Sequence, residues 1–149
     1  MKKYKFRLAQ VQRVRQIEED RARAAVLTAQ AEVRRVEVER DRRMREYAAN
    51  SMTVGLATRA AHLAERTMLE LRADRIVRTE EDLVHASERA AERLAEWAAA
   101  AQRVQALERL DERRREEYAI ELQREEDRVI DDLVTGRFGR GDHGPGEHS

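Results

Sequence analysis

Histidines and paired carboxylates are the residues of this sequence whose chemistry could serve a catalytic or metal site. The four histidines are scattered, and no two have the i, i+3 or i+4 spacing that directs two imidazoles to one helix face. Adjacent acids such as Glu125–Glu126 and Asp131–Asp132 point about 100° apart on a helix, so they do not form an acid–base pair. We interpret these groups as solvated charge and expect no catalytic residue, no metal and no cofactor.

The composition argues against several further functions. No Gly-x-x-x-x-Gly-Lys-Ser/Thr loop is present, and cysteine is absent, which excludes disulfides and thiolate chemistry. Thirty basic and thirty acidic residues cancel, so the chain lacks the net field of a dedicated nucleic-acid or membrane-surface binder. No run approaches the roughly 18 to 20 apolar residues of a membrane span, and no signal-peptide core follows the first residues. We expect a cytoplasmic protein that is not an enzyme.

Long helices are the elements that remain. Between Met1 and Thr135 the chain has one glycine, Gly55, and no proline, while 40% of the whole sequence is charged. Glycine and proline let a chain reverse, so such a stretch turns back at very few places. We predict an all-α fold, a long antiparallel two-helix coiled-coil hairpin, with helices at residues 1–50 and 57–134, a turn at 51–56 and a disordered tail at 135–149.

The apolar positions follow different periods in the two predicted helices. The first helix shows an eleven-residue pattern, with a period of about 3.67 residues, through Ala25, Ala29, Val33, Val36, Met44 and Tyr47. The second shows a heptad seam, through Leu69, Ala73, Ile76, Leu83, Ala90, Leu94, Trp97, Ala101 and Val104, with Glu80 and Ser87 in the remaining slots. A capping box at Thr79-Glu-Glu-Asp82 leaves open a break in this helix.

The two predicted helices differ in length. At about 1.5 Å per residue the first is roughly 70 Å long and the second roughly 115 Å. Pairing from a turn near Thr53 sets Val36 opposite Glu70 and leaves the second helix without a partner in its own chain beyond about Arg103. Because this overhang keeps many apolar residues, we expect another molecule to cover it. Those residues are Val104, Leu107, Leu110, Tyr118, Ile120, Leu122, Val129, Ile130 and Leu133.

Both ends of the chain resemble the flagellar FliJ family. The start, Lys5-Phe-Arg-Leu8 with Val11 and Val14-Arg15, is similar to the family's opening, and the stretch from Arg114 to Asp132 is similar to its acidic, arginine-rich close. The resemblance covers most of residues 4–138. Two features depart from the family: residues 56–71 lack the aromatic side chains expected there, and the glycine-rich tail is unusual.

The resemblance implies a non-catalytic component of the bacterial flagellar type III export apparatus, needed for motility and located at the cytoplasmic face of the inner membrane at the flagellar base. It implies a stalk that couples a hexameric export ATPase to the membrane export gate and escorts export chaperones. The implied ATPase-binding residues are Leu107, Leu110, Tyr118, Leu122, Glu125, Val129 and Leu133. The implied export-gate-binding residues are Tyr47, Met68, Leu69 and Arg72.

Two other functions also fit the residues. A structural coiled coil, unrelated to secretion, would dimerise through the overhang into a four-helix bundle. A nucleic-acid binder would use the arginine-rich helices and Gly136-Arg-Phe-Gly-Arg-Gly141, and its binding would fall steeply with salt. Sedimentation separates the first alternative from a stalk, because a stalk should be largely monomeric without its ATPase.

Overall fold

Two α-helices form the part of the chain that a computed structural model describes, residues 2–51 and 58–139. Helix α1 spans Ala9–Ser51 and helix α2 spans Arg59–Phe138. They pack antiparallel, so the predicted all-α hairpin architecture is confirmed. Nearly all of the predicted turn at 51–56, and the predicted tail from residue 140 onwards, lie outside the described residues.

The helix ends differ from the predicted bounds. Residues 2–6 are not helical, and α1 starts only after the amide of Ala9 donates to the carbonyl of Phe6 at 3.2 Å. Helix α2 extends past residue 134 because the Thr135 hydroxyl donates to the Asp131 carbonyl and the Gly139 amide donates to the Thr135 carbonyl. The bond from Gly139 satisfies the Thr135 carbonyl, one of the last four carbonyl groups that the end of a helix otherwise leaves without partners.

Helix α2 is continuous through Thr79, where the sequence left a break open. The Thr79 hydroxyl donates to the carbonyl of Arg75 at 2.8 Å, one turn earlier in the same helix. A capping threonine would instead accept a bond from a backbone amide of the following turn. The capping-box pattern therefore does not start a helix here, because Thr79 is used as a buried residue within one.

Contacts divide the chain into two compact units. One unit comprises Met1–Arg13 and Gln105–Ser149, and the other comprises Val14–Val104. We call the first the terminal unit and the second the hairpin unit.

The register of the hairpin unit differs from the predicted one. The Arg43 guanidinium donates to the backbone carbonyl of Arg75 at 3.4 Å, and Val36 lines a cavity together with Thr79. Val36 therefore lies beside Thr79, and the predicted pairing with Glu70 is wrong. The prediction centred the reversal near Thr53, whereas these contacts place Val36 beside a residue of α2 nine positions later than predicted.

Small residues fill half of the seam positions on α2 in the hairpin unit. Thr79, Ala86 and Ala100 are buried, each one residue before the predicted slot, whereas the predicted seam residue Leu94 is 47% exposed. The alternate slots agree with the prediction, since they are buried or half-buried: Leu69, Ile76, Leu83, Ala90, Trp97 and Val104. Hydrophobicity alone predicts Leu94 as a core residue. The residues that are buried instead have small side chains, which allow two helix backbones to approach closely.

The seam on α1 also contains a heptad spacing, and the predicted eleven-residue pattern is wrong at Met44. Val26, which the pattern omitted, is buried, while Met44, which it included, is exposed. Arg43 takes the corresponding place, because a long arginine stem can cover apolar surface while its charged end stays in water. One set of buried and half-buried positions alternates by four and three residues: Ala22, Val26, Ala29, Val33, Val36, Arg40, Arg43 and Tyr47. The residues directly before three of these positions, Ala25, Glu32 and Glu39, are half-buried as well.

Exchanges to aspartate at Ala86 and Leu94 distinguish the observed seam from the predicted one. We expect Ala86→Asp to cost about 3 kcal/mol or more, because a carboxylate would be buried without a partner. Leu94→Asp should cost less than about 1 kcal/mol, since its side chain is already half in water. Urea unfolding followed by circular dichroism measures the loss of unfolding free energy in both variants. Equal losses would mean that Leu94 is a core residue.

Trp97 offers a second test, because its indole Nε1 is shielded from solvent and has no hydrogen-bond partner in the described part of the chain. A buried donor without a partner costs about 1–3 kcal/mol. Trp97→Phe keeps an aromatic ring and removes the donor, so we expect it to leave the free energy of unfolding unchanged or to raise it by up to about 1 kcal/mol. Trp97→Ala should lower it by about 3 kcal/mol, the low end of the range for such truncations, because Trp97 is half-buried. A phenylalanine variant as unstable as the alanine variant would mean that the indole has a partner.

Candidate interaction surfaces

A short non-helical segment at the start of the chain lies against α2 in the terminal unit. We call residues 2–8 the strap. Within it Tyr4 and Phe6 are half-buried, whereas the charged residues between and around them are exposed. The alternation suits an extended segment with one face on a helix and the other in water.

A hydrogen bond and an ion pair join the strap to α2. The Tyr4 hydroxyl donates to Asp111 Oδ1 at 2.6 Å, and Arg115, one turn further along α2, places Nη2 at 2.9 Å from Asp111 Oδ2. The Asp111 residue is only 9% exposed, so both donors compensate a charge that has lost most of its water. The Arg115 guanidinium also lies over the Tyr4 ring, 5.6 Å from its centroid.

Tyr118 makes the second contact between the strap and α2. Its ring centroid lies 5.7 Å from that of Tyr4 with an angle of 51° between the planes, a favoured tilted arrangement of two aromatic rings. Its hydroxyl donates to the backbone carbonyl of Lys2. The two tyrosines thus hold the strap at successive points along α2.

The network favours the neutral form of Tyr4 and the charged form of Asp111. Desolvation raises the pKa of Tyr4, and the bond to Asp111 raises it further. The pKa of Asp111 is lowered by the hydrogen bond from Tyr4 and also by Arg115. At neutral pH the arrangement is a neutral phenol and a guanidinium around one carboxylate, which is a structural arrangement and not an acid–base site.

An open cavity of about 520 Å³ lies between the strap and α2. It is lined by five consecutive strap residues from Tyr4 to Leu8 and, on α2, by Leu110, Arg114, Glu117, Tyr118 and Glu121. Of the seven predicted ATPase-binding residues, Leu110 and Tyr118 therefore have neighbours in their own chain. The expectation that α2 is unpartnered beyond Arg103 is wrong for these two, because the strap, which precedes α1 in the chain, lies against this part of α2.

The other five predicted ATPase-binding residues fall into two groups. Leu107 and Leu122 are half-buried, whereas Glu125, Val129 and Leu133 are exposed. Val129 is 58% and Leu133 is 64% exposed, and Ile130 and Val134 beside them are exposed too. Residues 129, 130, 133 and 134 share one helix face by their spacing, so an apolar stripe on α2 faces solvent.

The predicted export-gate-binding residues belong to the hairpin unit. Met68 is 50% exposed, while Tyr47, Leu69 and Arg72 are half-buried. Met68 and Arg72 line one cavity of about 310 Å³ together with Arg42, Arg43, Glu46 and Arg75. The structure thus brings Met68 and Arg72 together with a group of arginines that the sequence had not singled out.

The Tyr4, Asp111 and Arg115 network was also missed from the sequence. A usable signal existed, since Asp111 continues the alternation of Val104 and Leu107 and thus puts a carboxylate in a seam slot. A carboxylate at such a position requires donors, and Arg115 follows one turn later. The donor from the strap was not predictable by periodicity, because the strap is not helical.

Within residues 2–51 and 58–139, no group of three or more histidine, cysteine, aspartate or glutamate side chains could hold a metal ion. Neither helix, over the residues that were searched, is long and apolar enough to cross a membrane.

The family described as Flagellar FliJ protein matches residues 4–142 of this chain, a range that includes both helices. Comparisons with curated proteins and with solved structures found no match. The match confirms the resemblance that the two ends of the sequence indicated.

The strap contact should depend on pH in both directions. The folded pKa of Asp111 is depressed, so its contribution is present above its ordinary pKa and is lost as the pH falls through the folded value. The folded pKa of Tyr4 is raised, so its contribution is present below its ordinary pKa and is lost as the pH rises through the folded value. The ring signals of Tyr4 in NMR spectra should report detachment at both extremes.

Asp111→Asn is the matched control, because it keeps the shape and removes the acidic titration. We expect the acid transition of the Tyr4 signals to disappear in this variant while the alkaline one remains. An acid transition that is unchanged in Asp111→Asn would contradict the assignment of Asp111 as the partner of the strap.

Proposed function

We propose that this chain, which belongs to the flagellar FliJ family and is thereby a non-catalytic component of the flagellar export apparatus, couples the hexameric export ATPase to the membrane export gate. In this proposal the terminal unit binds the ATPase and the hairpin unit binds the gate. The protein works in the cytoplasm at the inner-membrane face of the flagellar base, and export chaperones are further partners. Its partners lie in the flagellar export machinery, as family membership implies.

The observation that carries the proposal is the exposed apolar stripe of α2. Val129, Ile130, Leu133 and Val134 are large side chains that no described part of the chain covers. Exposed apolar residues that share a helix face mark a surface that another molecule covers. A helix that lies in the opening of a ring would be enclosed on its sides, and such an environment suits a segment with apolar residues among charges.

The charge of the same segment adds a requirement for the partner. Residues 116–134 carry eight carboxylates and two arginines, an excess of six negative charges in a chain that is neutral as a whole. Complementary charge raises association rates and disfavours wrong partners. We therefore expect the ATPase surface around this segment to be basic at its rim and apolar where the stripe inserts.

The strap changes how the seven ATPase-binding residues contribute. We place Leu122, Glu125, Val129 and Leu133 in direct contact with the ATPase. The base of the same surface contains Leu107, Leu110 and Tyr118. At this base Tyr4 and its neighbours in the strap form part of the surface that a partner would contact. The ATPase-binding surface in this proposal is therefore composite, made by α2 and by the first residues of the chain.

Val129→Asp and Leu133→Asp test the ATPase surface. We expect each to weaken binding to the purified ATPase at least tenfold, about 1.4 kcal/mol, because the new carboxylate loses its water in the contact. Helix content should not change, since both side chains are already exposed. Surface plasmon resonance with the ATPase hexamer and a swarming assay are the measurements.

Val38→Asp and Val84→Asp are matched controls, because both replace an exposed valine on a helix of the hairpin unit. They should bind the ATPase normally. If Val129→Asp and Leu133→Asp also bind normally and support motility, the ATPase assignment is wrong. If these two variants instead convert a stable dimer into a monomer, the stripe serves self-association and the chain is a scaffold.

A further inference from the structure

Two neighbouring cavities in the hairpin unit have arginine as their most frequent lining residue. One of about 310 Å³ and one of about 490 Å³ share Arg43 from α1 and Arg75 from α2. Together six arginines and three carboxylates line them, a local excess of three positive charges in a chain whose total charge is zero. We call Arg42, Arg43, Arg72, Arg75 and Arg78 the arginine surface.

The carboxylates of α1 in this region, Glu39 and Glu46, form ion pairs with arginines of the same helix. Glu39 accepts bonds from Arg42 at 2.7 Å and from Arg43 at 2.8 Å, and these two arginines lower the pKa of Glu39 to about 2. Arg42 also lies 3.6 Å from Glu46. The negative charge available on α1 is therefore already shared between two cations of the same helix.

The three arginines of the arginine surface that lie on α2 have no carboxylate partner among the described residues. In the described part of the chain no carboxylate lies within ion-pair distance of Arg72, Arg75 or Arg78, although Asp82 lines the same cavity as Arg75 and Arg78. Arg72 is half-buried, whereas Arg75 and Arg78 are exposed. The backbone carbonyl of Arg75 accepts a bond from Arg43, which ties this part of α2 to α1.

The spacing of these three arginines sets the form of a ligand. They follow one another every three residues, which is about 4.5 Å along the helix axis and about 60° around it, so Arg72 and Arg78 point about 120° apart. A guanidinium presents a planar fork that pairs with a carboxylate through two parallel bonds. Forks placed along this curved path suit a ligand that has several carboxylates along its length and that winds around α2. Met68, beside Arg72, adds an exposed apolar contact at one end.

We propose that the arginine surface binds an acidic segment of a partner protein, whose carboxylates pair with Arg72, Arg75 and Arg78 and whose apolar residue covers Met68. Glu39, Glu46 and Asp82 lie in the same cavities and would repel a continuous sheet of phosphates, such as a membrane or a nucleic acid. Separate carboxylates on a polypeptide can meet the three arginines and avoid these acids. In assigning the segment to the export gate, and only there, the inference rests on the function proposed above.

The test measures binding of the full chain to a fluorescein-labelled peptide in which glutamates repeat every third or fourth residue around one leucine. A second peptide has glutamine in place of every glutamate. At physiological ionic strength we expect the acidic peptide to bind and the glutamine peptide not to bind. In the variant Arg72→Gln/Arg75→Gln/Arg78→Gln we expect affinity for the acidic peptide to fall at least about tenfold.

The matched control is Arg89→Gln/Arg103→Gln/Arg109→Gln, which removes the same charge from exposed arginines elsewhere on α2. It should change the affinity less than about twofold, by screened long-range charge alone. Circular dichroism verifies that both triple variants remain helical. The proposal is overturned if the acidic peptide does not bind, if both triple variants lose affinity equally, or if phosphatidylglycerol vesicles or single-stranded DNA bind the wild-type chain more tightly than the peptide does.

The purified cytoplasmic domain of the export gate serves as a second titrant and separates the two proposals. If the gate domain binds the wild-type chain and the Arg72, Arg75 and Arg78 variant equally well, the arginine surface is not its site and the coupling role still stands. If the peptide binding depends on these arginines but the gate domain does not bind at all, the surface recognises acidic segments and the assignment to the gate is wrong.

Discussion

A carboxylate that leaves water needs donors, and Asp111 imposes that requirement on the terminal unit. At a seam position of α2 it would destabilise the chain if the Tyr4 hydroxyl and the Arg115 guanidinium did not bond to it. Tyr4 can reach it only if the residues before α1 run along α2, and Tyr118 supports the same path through Lys2. One buried charge therefore determines where the strap lies.

The position of the strap decides which part of α2 is free for partners. Strap residues line a cavity together with Leu110 and Tyr118, whereas Val129 and Leu133 are exposed. In the hairpin unit the carboxylate of Glu39 on α1 is shared by Arg42 and Arg43. Among the described residues no carboxylate pairs with the three arginines of the arginine surface that lie on α2. Each unit thus presents one surface of distinct chemistry, acidic and apolar in the terminal unit and basic in the hairpin unit.

The helical class, the antiparallel pairing and the family could all be predicted from the sequence, because they depend on the scarcity of glycine and proline, on hydrophobic period and on the two end motifs. The register could not, since it depends on where α1 ends and α2 begins. Only the alternate seam positions of α2 could be predicted from the sequence. Hydrophobicity favours Leu94, which is 47% exposed, whereas the small residues Ala86 and Ala100 are the buried ones. The strap contact joins residues 107 positions apart and involves a non-helical segment, so no local pattern contains it.

The proximity of two aromatic rings tests the placement of the strap most directly. The chain has three tyrosines, so their NMR signals can be assigned by single exchanges to phenylalanine. With ring centroids 5.7 Å apart, Tyr4 and Tyr118 should give nuclear Overhauser cross-peaks between their ring protons in the native protein at neutral pH. Cross-peaks between Tyr4 and Tyr118 are the result that the account predicts. Their absence in a folded, helical sample, or cross-peaks from Tyr4 to Trp97 in their place, would contradict it.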